Sequence, residues 1–228
     1  MARVLAVLSS GYTNQNYHTG WWGEELFAPL QALEEAGHVV DLASPLGGKP
    51  EVDERSISPE YDPHGTYKAL YESGRADDTK RLSEVTPTQY DVILIVGGHG
   101  AMFDLAKNED LHRIINTVYD RGGIIAAECH GPSVLLYTTR PNGRSIVEGL
   151  DVTGYPDVWE PEDVRPYLPY SLEQELRKIA NYVSELDRKE FAIWGNSQII
   201  TSRDPFSSEL MGQELVKALH NRSATQQS

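Results

Sequence analysis

The chain has 228 residues, enough to bury a sizeable core in one domain, and its 39% hydrophobic and 24% charged content is that of a globular fold. Its 20 Lys and Arg stand against 34 Asp and Glu, and the net charge of -14 repels phosphate backbones, so nucleic acid is excluded as an expected partner. One cysteine excludes an internal disulfide framework and CxxC zinc motifs, and no apolar run approaches membrane-spanning length, so no membrane partner is expected.

Met1 to Leu8 carries one Arg and a short apolar run that breaks at Ser9-Ser10-Gly11. A first strand, Val4 to Leu8, explains it better than a secretory signal, and a cytoplasmic protein is expected. A helix follows over Gly23 to Ala36, with Gly37 as its C-cap. Glu24 and Glu25 near its start are ordinarily macrodipole partners. One of them could instead face inward, where like charge and burial would raise its pKa and fit it to move protons. Val39 to Ala43 reads as the next strand. The stretch from Pro45 to Pro87 is rich in Pro, Gly, Asp and Tyr and too long for a simple connector. It predicts a cap insertion (about 45–87) with a short helix around Tyr67 to Glu72.

Val92 to Val96 and Ile124 to Ala127 are apolar runs of the kind buried on both faces of a parallel sheet. Helices are predicted over Leu111 to Arg121, Pro132 to Thr138, Leu172 to Glu185 and Ser207 to His220, with Asp110 and Ser171 as N-caps. Pro161 to Pro169 is a loop, Ile199-Ile200-Thr201 a short strand, and 221–228 a polar tail expected to fray. The fold class is therefore α/β, a doubly wound, mostly parallel sheet with helices on both faces and a small cap. In such sheets ligands bind beyond the carboxyl ends of the strands.

Two turns lie at that edge. Gly97-Gly98-His99-Gly100 lacks dinucleotide spacing, because Phe103 stands where the last glycine belongs, but its amides can face an oxyanion. The alternative is a tight turn and nothing more. Cys129 sits where Ile124 to Ala127 turns into the helix from Pro132, an arrangement like a nucleophile elbow. A lone Cys is ordinarily a small buried hydrophobe. Here a helix N-terminus and the adjacent His130 are both expected to stabilise a thiolate. The remaining histidines show no HxH or HExxH spacing, so no metal is expected. Of these only His18 precedes Glu25 closely enough to touch a pocket.

The ordered set Thr19-Gly20-x-x-x-x-Glu25-x-x-x-Pro29, Gly97-Gly98-His99-Gly100 and Cys129-His130-Gly131-Pro132 resembles the ThiJ/PfpI superfamily. More narrowly it is similar to the glyoxalase III branch, which includes heat-shock-type chaperone and deglycase members. The likeness continues through Ala43-Ser44-Pro45, Phe103-Asp104-Leu105, Val152-Thr153-Gly154 and Ile200 to Phe206. It implies a flavodoxin-like, class I glutamine amidotransferase-like domain over 1–228 and a homodimer. It implies Cys129 as nucleophile, His130 beside it, Glu25 rather than Glu24 as the proton carrier, and Glu160 or Asp157 as the carboxylate that orients His130. Oxyanion donors would be the Gly98 and His130 amides, with His99, Trp22 and His18 near the substrate. The implied activity needs no cofactor and converts methylglyoxal or glyoxal to the hydroxy acid, a lyase-type detoxification in stress response, with deglycase hydrolysis as its extension to bulkier carbonyls. Rival expectations are a redox sensor or holdase without turnover, and a hydratase or lyase of specialised metabolism. Two departures from the branch bear on substrate: Glu128 before the nucleophile, where a small or apolar residue is usual, and Ser202-Arg203 after Thr201.

Overall fold

The computed structural model describes residues 1–225. In chain order the elements are β1 (Arg3–Val7), a hairpin of β2 (Tyr12–Asn14) and β3 (Tyr17–Thr19), α1 (Gly23–Glu35), β4 (Val39–Ser44), α2 (Thr66–Glu72), β5 (Lys80–Arg81), β6 (Val92–Ile95), α3 (Glu109–Asp120), β7 (Ile124–Glu128), α4 (Pro132–Tyr137), β8 (Asp151–Val152), α5 (Leu172–Ile179), β9 (Asn181–Tyr182), β10 (Ala192–Trp194), β11 (Ile199–Ser202) and α6 (Ser208–Thr225). Seven strands form the central sheet in the order β10-β11-β7-β6-β1-β4-β5. All neighbours pair parallel except β10, which runs antiparallel to β11.

Side chains alternate between the two faces of a strand. Ile124 and Ala126 of β7 therefore pack with Val4, Val92 and Leu94 beneath α1 and α6. Ile125 and Ala127 pack with Leu5, Ile93 and Ile95 beneath α3, α4 and α5. This is the flavodoxin-like, doubly wound sheet. Chain order reverses between β1 and β6, which opens a crevice at the carboxyl edge of the sheet. In α1, Leu26, Phe27, Leu30 and Leu33 are buried at helical spacing. Pro29 lies inside that helix and has no N–H to return to the carbonyl of Glu25, four residues back.

Several boundaries differ from the sequence-based expectation. The helix predicted to run to Glu185 ends at Ile179, because Tyr182 turns inward on β9, which pairs with β8. The N-cap of α3 is Asn108, whose side chain accepts from Leu111 N–H at 2.9 Å; Asp110 sits in the first turn instead. Ser171 caps α5 by accepting from Gln174 N–H at 3.0 Å. Within the stretch expected to form the cap, 80–81 pairs with β4 and extends the main sheet. Residues 221–225 continue α6 rather than fraying, and 226–228 of the expected tail lie outside the described residues. Among the described residues no helix is long and apolar enough to cross a membrane.

Arg203, one of the departures noted above, is fully buried where the chain leaves β11. Its Nε donates to Asp204 at 2.7 Å, and its two terminal nitrogens donate to the carbonyls of Glu185 and Lys189. The guanidinium also lies 4.8 Å from the Trp159 ring centre. Removing one partner of a buried ion pair leaves the other without compensation. Arg203→Ala should lower the unfolding free energy in urea by about 3–5 kcal/mol; a loss below about 1 kcal/mol would show that the pair is dispensable.

Candidate active site

β7 delivers Cys129 directly past its last residue, and the chain there adopts φ +57°. A non-glycine residue in this left-handed region is strained and must be held by its surroundings. Cys129 N–H donates to Ser202 O at 2.9 Å, Tyr155 N–H donates to Cys129 O at 3.0 Å, and Gly131 N–H donates to Glu128 O at 2.6 Å. The elbow is thus pinned by β11 on one side and by the segment after β8 on the other. It lifts the thiol over the sheet edge, 3.2 Å from His130 Nδ1.

His130 is oriented by a relay of donors. Its Nε2 bonds Glu160 Oε1, and His99 Nε2 bonds Glu160 Oε2 at 2.8 Å. Arg55 Nη2 approaches His99 Nδ1 at 3.3 Å. An arginine only donates, so His99 Nδ1 accepts and its proton lies on Nε2, toward the carboxylate. Burial, the neighbouring His130 and then Arg55 hold His99 low, at about 4, although Glu160 acts in the opposite sense, so it is neutral near pH 7. Burial alone would raise Glu160, but its contacts with the two imidazoles, His130 above all, outweigh it and hold the carboxyl well below the ordinary carboxylate range. Asp53 fixes Arg55 through two side-chain bonds, at 3.0 and 2.7 Å, and also accepts from Thr19 Oγ1 at 2.8 Å. Tyr155 covers the other side of His130, ring centres 4.9 Å apart. The ligand atoms of His99, His130 and Glu160 lie within 4.8 Å of one another, a spacing that also suits a cation. Their bonds to each other already use these atoms to orient His130, and we assign the cluster to the relay.

The thiol differs from its expected state. Burial pushes Cys129 well above its ordinary 9.0, and the charges of Glu25, Glu160 and Asp204 push it further. The Gly98 amide opposes this weakly. The helix that should favour a thiolate, α4, has only six residues, so its dipole is outweighed by nearby carboxylates. Cys129 therefore rests as a neutral thiol whose proton has His130 Nδ1 as a ready acceptor.

Glu25 is fully buried, beside the Cys129 side chain and the Gly97 amide, and burial raises its carboxyl well above the ordinary range. Glu24 lines the cavity wall instead; burial and then the charges of Asp204 and Glu209 push it up to about 7. The cavity above the thiol has a volume of about 410 Å³, and Trp22, Gly98, His99 and His130 all line it. Gly98 has φ +92°, and a side chain there would run into the Gly20 carbonyl.

Two candidates lie elsewhere. His18 is on the β2–β3 hairpin, with Nδ1 on Thr13 Oγ1 at 2.7 Å, and does not line the cavity. Asp157 accepts from Ser171 Oγ at 2.6 Å and from Gln174 Nε2 at 3.2 Å, so it secures the start of α5 and leaves His130 to Glu160. Arg55, Asp53 and Tyr155 were not singled out from sequence. The only signal for Asp53 and Arg55 was an Asp-x-Arg pair inside a polar, aperiodic stretch, and Tyr155 carried none beyond its place after Val152-Thr153-Gly154.

Reactivity of the thiol follows from its surroundings. The rate of Cys129 alkylation by iodoacetamide should be slow at pH 7 and still rising beyond pH 9, because the thiolate forms only above the raised pKa. A plateau reached by about pH 7 would instead reveal a resting thiolate–imidazolium pair.

Comparison with known proteins places this geometry in context. The sequence profile of the DJ-1/PfpI family matches residues 18–218. The glutathione-independent glyoxalase HSP31 of Saccharomyces cerevisiae is 32% identical over 169 residues, covering 69% of this chain and 70% of that protein. The crystal structure of glyoxalase III from Candida albicans superposes with a TM-score of 0.82 at 26% identity, over 95% of this chain and 97% of the other. The rapid encystment protein of Francisella tularensis superposes at 0.84 with 28% identity, over 96% and 99%. On the extent of the profile match and of the yeast relative, this chain belongs to the DJ-1/PfpI family.

Proposed function

We propose that this protein is a cofactor-independent, glyoxalase III-like enzyme that converts methylglyoxal or a related 2-oxoaldehyde to the 2-hydroxy acid. The observation that carries the reading is the alignment of a cavity-facing thiol, its imidazole and a buried carboxylate on a strained elbow. The naming of relatives as glutathione-independent glyoxalases supports it.

The chemistry runs as acyl-group chemistry on sulfur. His130 Nδ1 takes the thiol proton as sulfur attacks the aldehyde carbon, and the developing imidazolium is stabilised by Glu160. The Gly98 and His130 amides face the oxyanion, which then takes the proton from His130 to give a hemithioacetal. Glu25 removes the proton on the former aldehyde carbon, forming an enediol, and a proton returns to the adjacent carbon. The product is a thioester. Water cleaves it, releasing the hydroxy acid and restoring the thiol. Action on glycated adducts would be the same addition to a bulkier carbonyl, and the cavity of about 410 Å³ has room for more than a three-carbon substrate.

Two variants test the reading by lactate formation from methylglyoxal. Cys129→Ala should abolish turnover with little loss of stability, since one small side chain leaves only a modest cavity; wild-type rates would end the nucleophile assignment. Glu25→Gln keeps the size of the side chain but cannot carry a proton between carbons. Its turnover should fall by about 10² or more, the usual scale for general acid–base catalysis, while Cys129 stays open to alkylation at high pH. A loss of only a few-fold would reduce Glu25 to a hydrogen-bond partner of sulfur.

A further inference from the structure

Arg188 lies at the rim of the cavity above the thiol. Among the described residues, Cys129 and Arg188 are the two non-glycine positions with a left-handed backbone, Arg188 at φ +61°. That conformation is strained for a residue with a β-carbon and must be held by its surroundings. Arg203 holds it. Its terminal nitrogens donate to the carbonyls of Glu185 and Lys189, on either side of Arg188, and Nη1 lies 3.9 Å from Asp187 Oδ1. Lys189 N–H also donates to Asp187 Oδ1, at 3.1 Å. The buried arginine that departs from the related branch thus fixes the loop that presents Arg188 to the cavity.

The guanidinium of Arg188 lies over the Trp159 ring, 3.9 Å from its centre. A guanidinium stacked by its face keeps the N–H groups of its edge free, and their fork matches a carboxylate or a phosphate. Among the described residues no acid pairs with Arg188, and its side chain donates no hydrogen bond. The other cation on the cavity wall, Arg55, is committed to Asp53 and His99. Of the acids on the wall, Asp204 is taken by Arg203 at 2.7 Å, Glu24 is pushed up to about 7, by burial first, and Glu60 is exposed. The net charge of -14 disfavours an anion at long range. At physiological ionic strength, charges beyond about 8 Å are screened, so the local cation decides.

The place of Arg188 sets the reach of a ligand. From His130 the wall runs to Tyr155, ring centres 4.9 Å apart, then to Trp159, whose ring centre is 6.2 Å from that of Tyr155, and then to Arg188. A three-carbon aldehyde held at Cys129 is too short to span these steps. We propose that Arg188 is a specificity residue: it binds the anionic end, carboxylate or phosphate, of a 2-oxoaldehyde whose chain lies along Tyr155 and Trp159. This rests on the glyoxalase reading and names the substrate class of the same site.

Two measurements test it. The first compares kcat/KM for a six-carbon 2-oxoaldehyde ending in a carboxylate with that for its methyl ester, which has the same chain without the charge. The wild type should prefer the acid by about tenfold or more, the scale of a hydrogen bond to a charged group. Arg188→Gln should bring the acid-to-ester ratio near one, and Arg188→Lys, which keeps the charge but loses the fork, should recover part of it. A chain ending in a phosphate is the third substrate, and the larger of the two preferences names the source of the anion. The second measurement needs no turnover. The same acid with a methyl group in place of the aldehyde is titrated calorimetrically into the wild type and Arg188→Gln, with its methyl ester as reference. The acid should bind about tenfold tighter than the ester to the wild type, and the difference should vanish in the variant. Absence of the acid preference in the wild type, or its survival in Arg188→Gln, overturns the proposal even if methylglyoxal is turned over. A merely structural role would lower Tm and slow acid and ester alike, and that unchanged ratio also overturns it. If no 2-oxoaldehyde is turned over but the acid binds through Arg188, the glyoxalase reading fails and the anion site stands.

Discussion

The site depends on one strained residue. Cys129 holds a left-handed backbone that a β-carbon disfavours, and three backbone hydrogen bonds keep it there. Two of those bonds come from β11 and from the segment after β8, which is the segment that carries Tyr155 and Glu160, and the third, from Gly131 to Glu128, closes the turn itself. The same contacts that hold the nucleophile therefore also place its imidazole's carboxylate. Distortion of either flank would move thiol and relay together.

Around this turn the protein concentrates acid. Glu25 and Glu160 act directly on the thiol, Glu128 is buried just before it in the chain, and Glu24 and Asp204 line the cavity wall. Their effects are unlike because their partners are unlike. Glu160 meets two imidazoles and is held ionised. Glu25 and Glu128 meet a dry helix–sheet interface and are driven toward protonation. The result is a resting thiol, activated by transfer of its proton to His130 at the moment of attack rather than by standing ionisation. A neutral buried thiol is also less exposed to oxidation than a free thiolate, because oxidants act on the anion.

The cavity is walled by aromatic groups set in place by buried ion pairs. Arg203 lies beneath Trp159, and Arg55 lies 5.9 Å from the Trp22 ring centre while reaching His99. Each guanidinium is tied to a nearly buried aspartate, Asp204 or Asp53. Such pairs contribute little net stability, since desolvation offsets attraction, but they fix position.

The sequence by itself determined the sheet and the elbow. Runs such as Val92 to Val96 and Ile124 to Ala127 are apolar at every position, and only burial on both faces accommodates that. The Cys-His-Gly-Pro turn after such a run puts a thiol at the carboxyl edge by local geometry alone. The residues alone left Glu24 and Glu25 open as the inward acid, and the family resemblance implied Glu25; in the fold Glu25 is fully buried while Glu24 lines the cavity. Tertiary structure decided what periodicity cannot encode. The choice of Glu160 over Asp157 depends on which of two acids, three residues apart in a loop, is taken up by Ser171 of α5. The reach of Arg55 to His99 spans 44 positions through a stretch with no period. The state of the thiol was likewise beyond local reading: a helix start and a histidine pointed to an anion, and burial, with the charges of Glu25 on α1, Glu160 and Asp204, overrode them. Local rules fix where a side chain is presented; its charge is fixed by groups that only folding brings near.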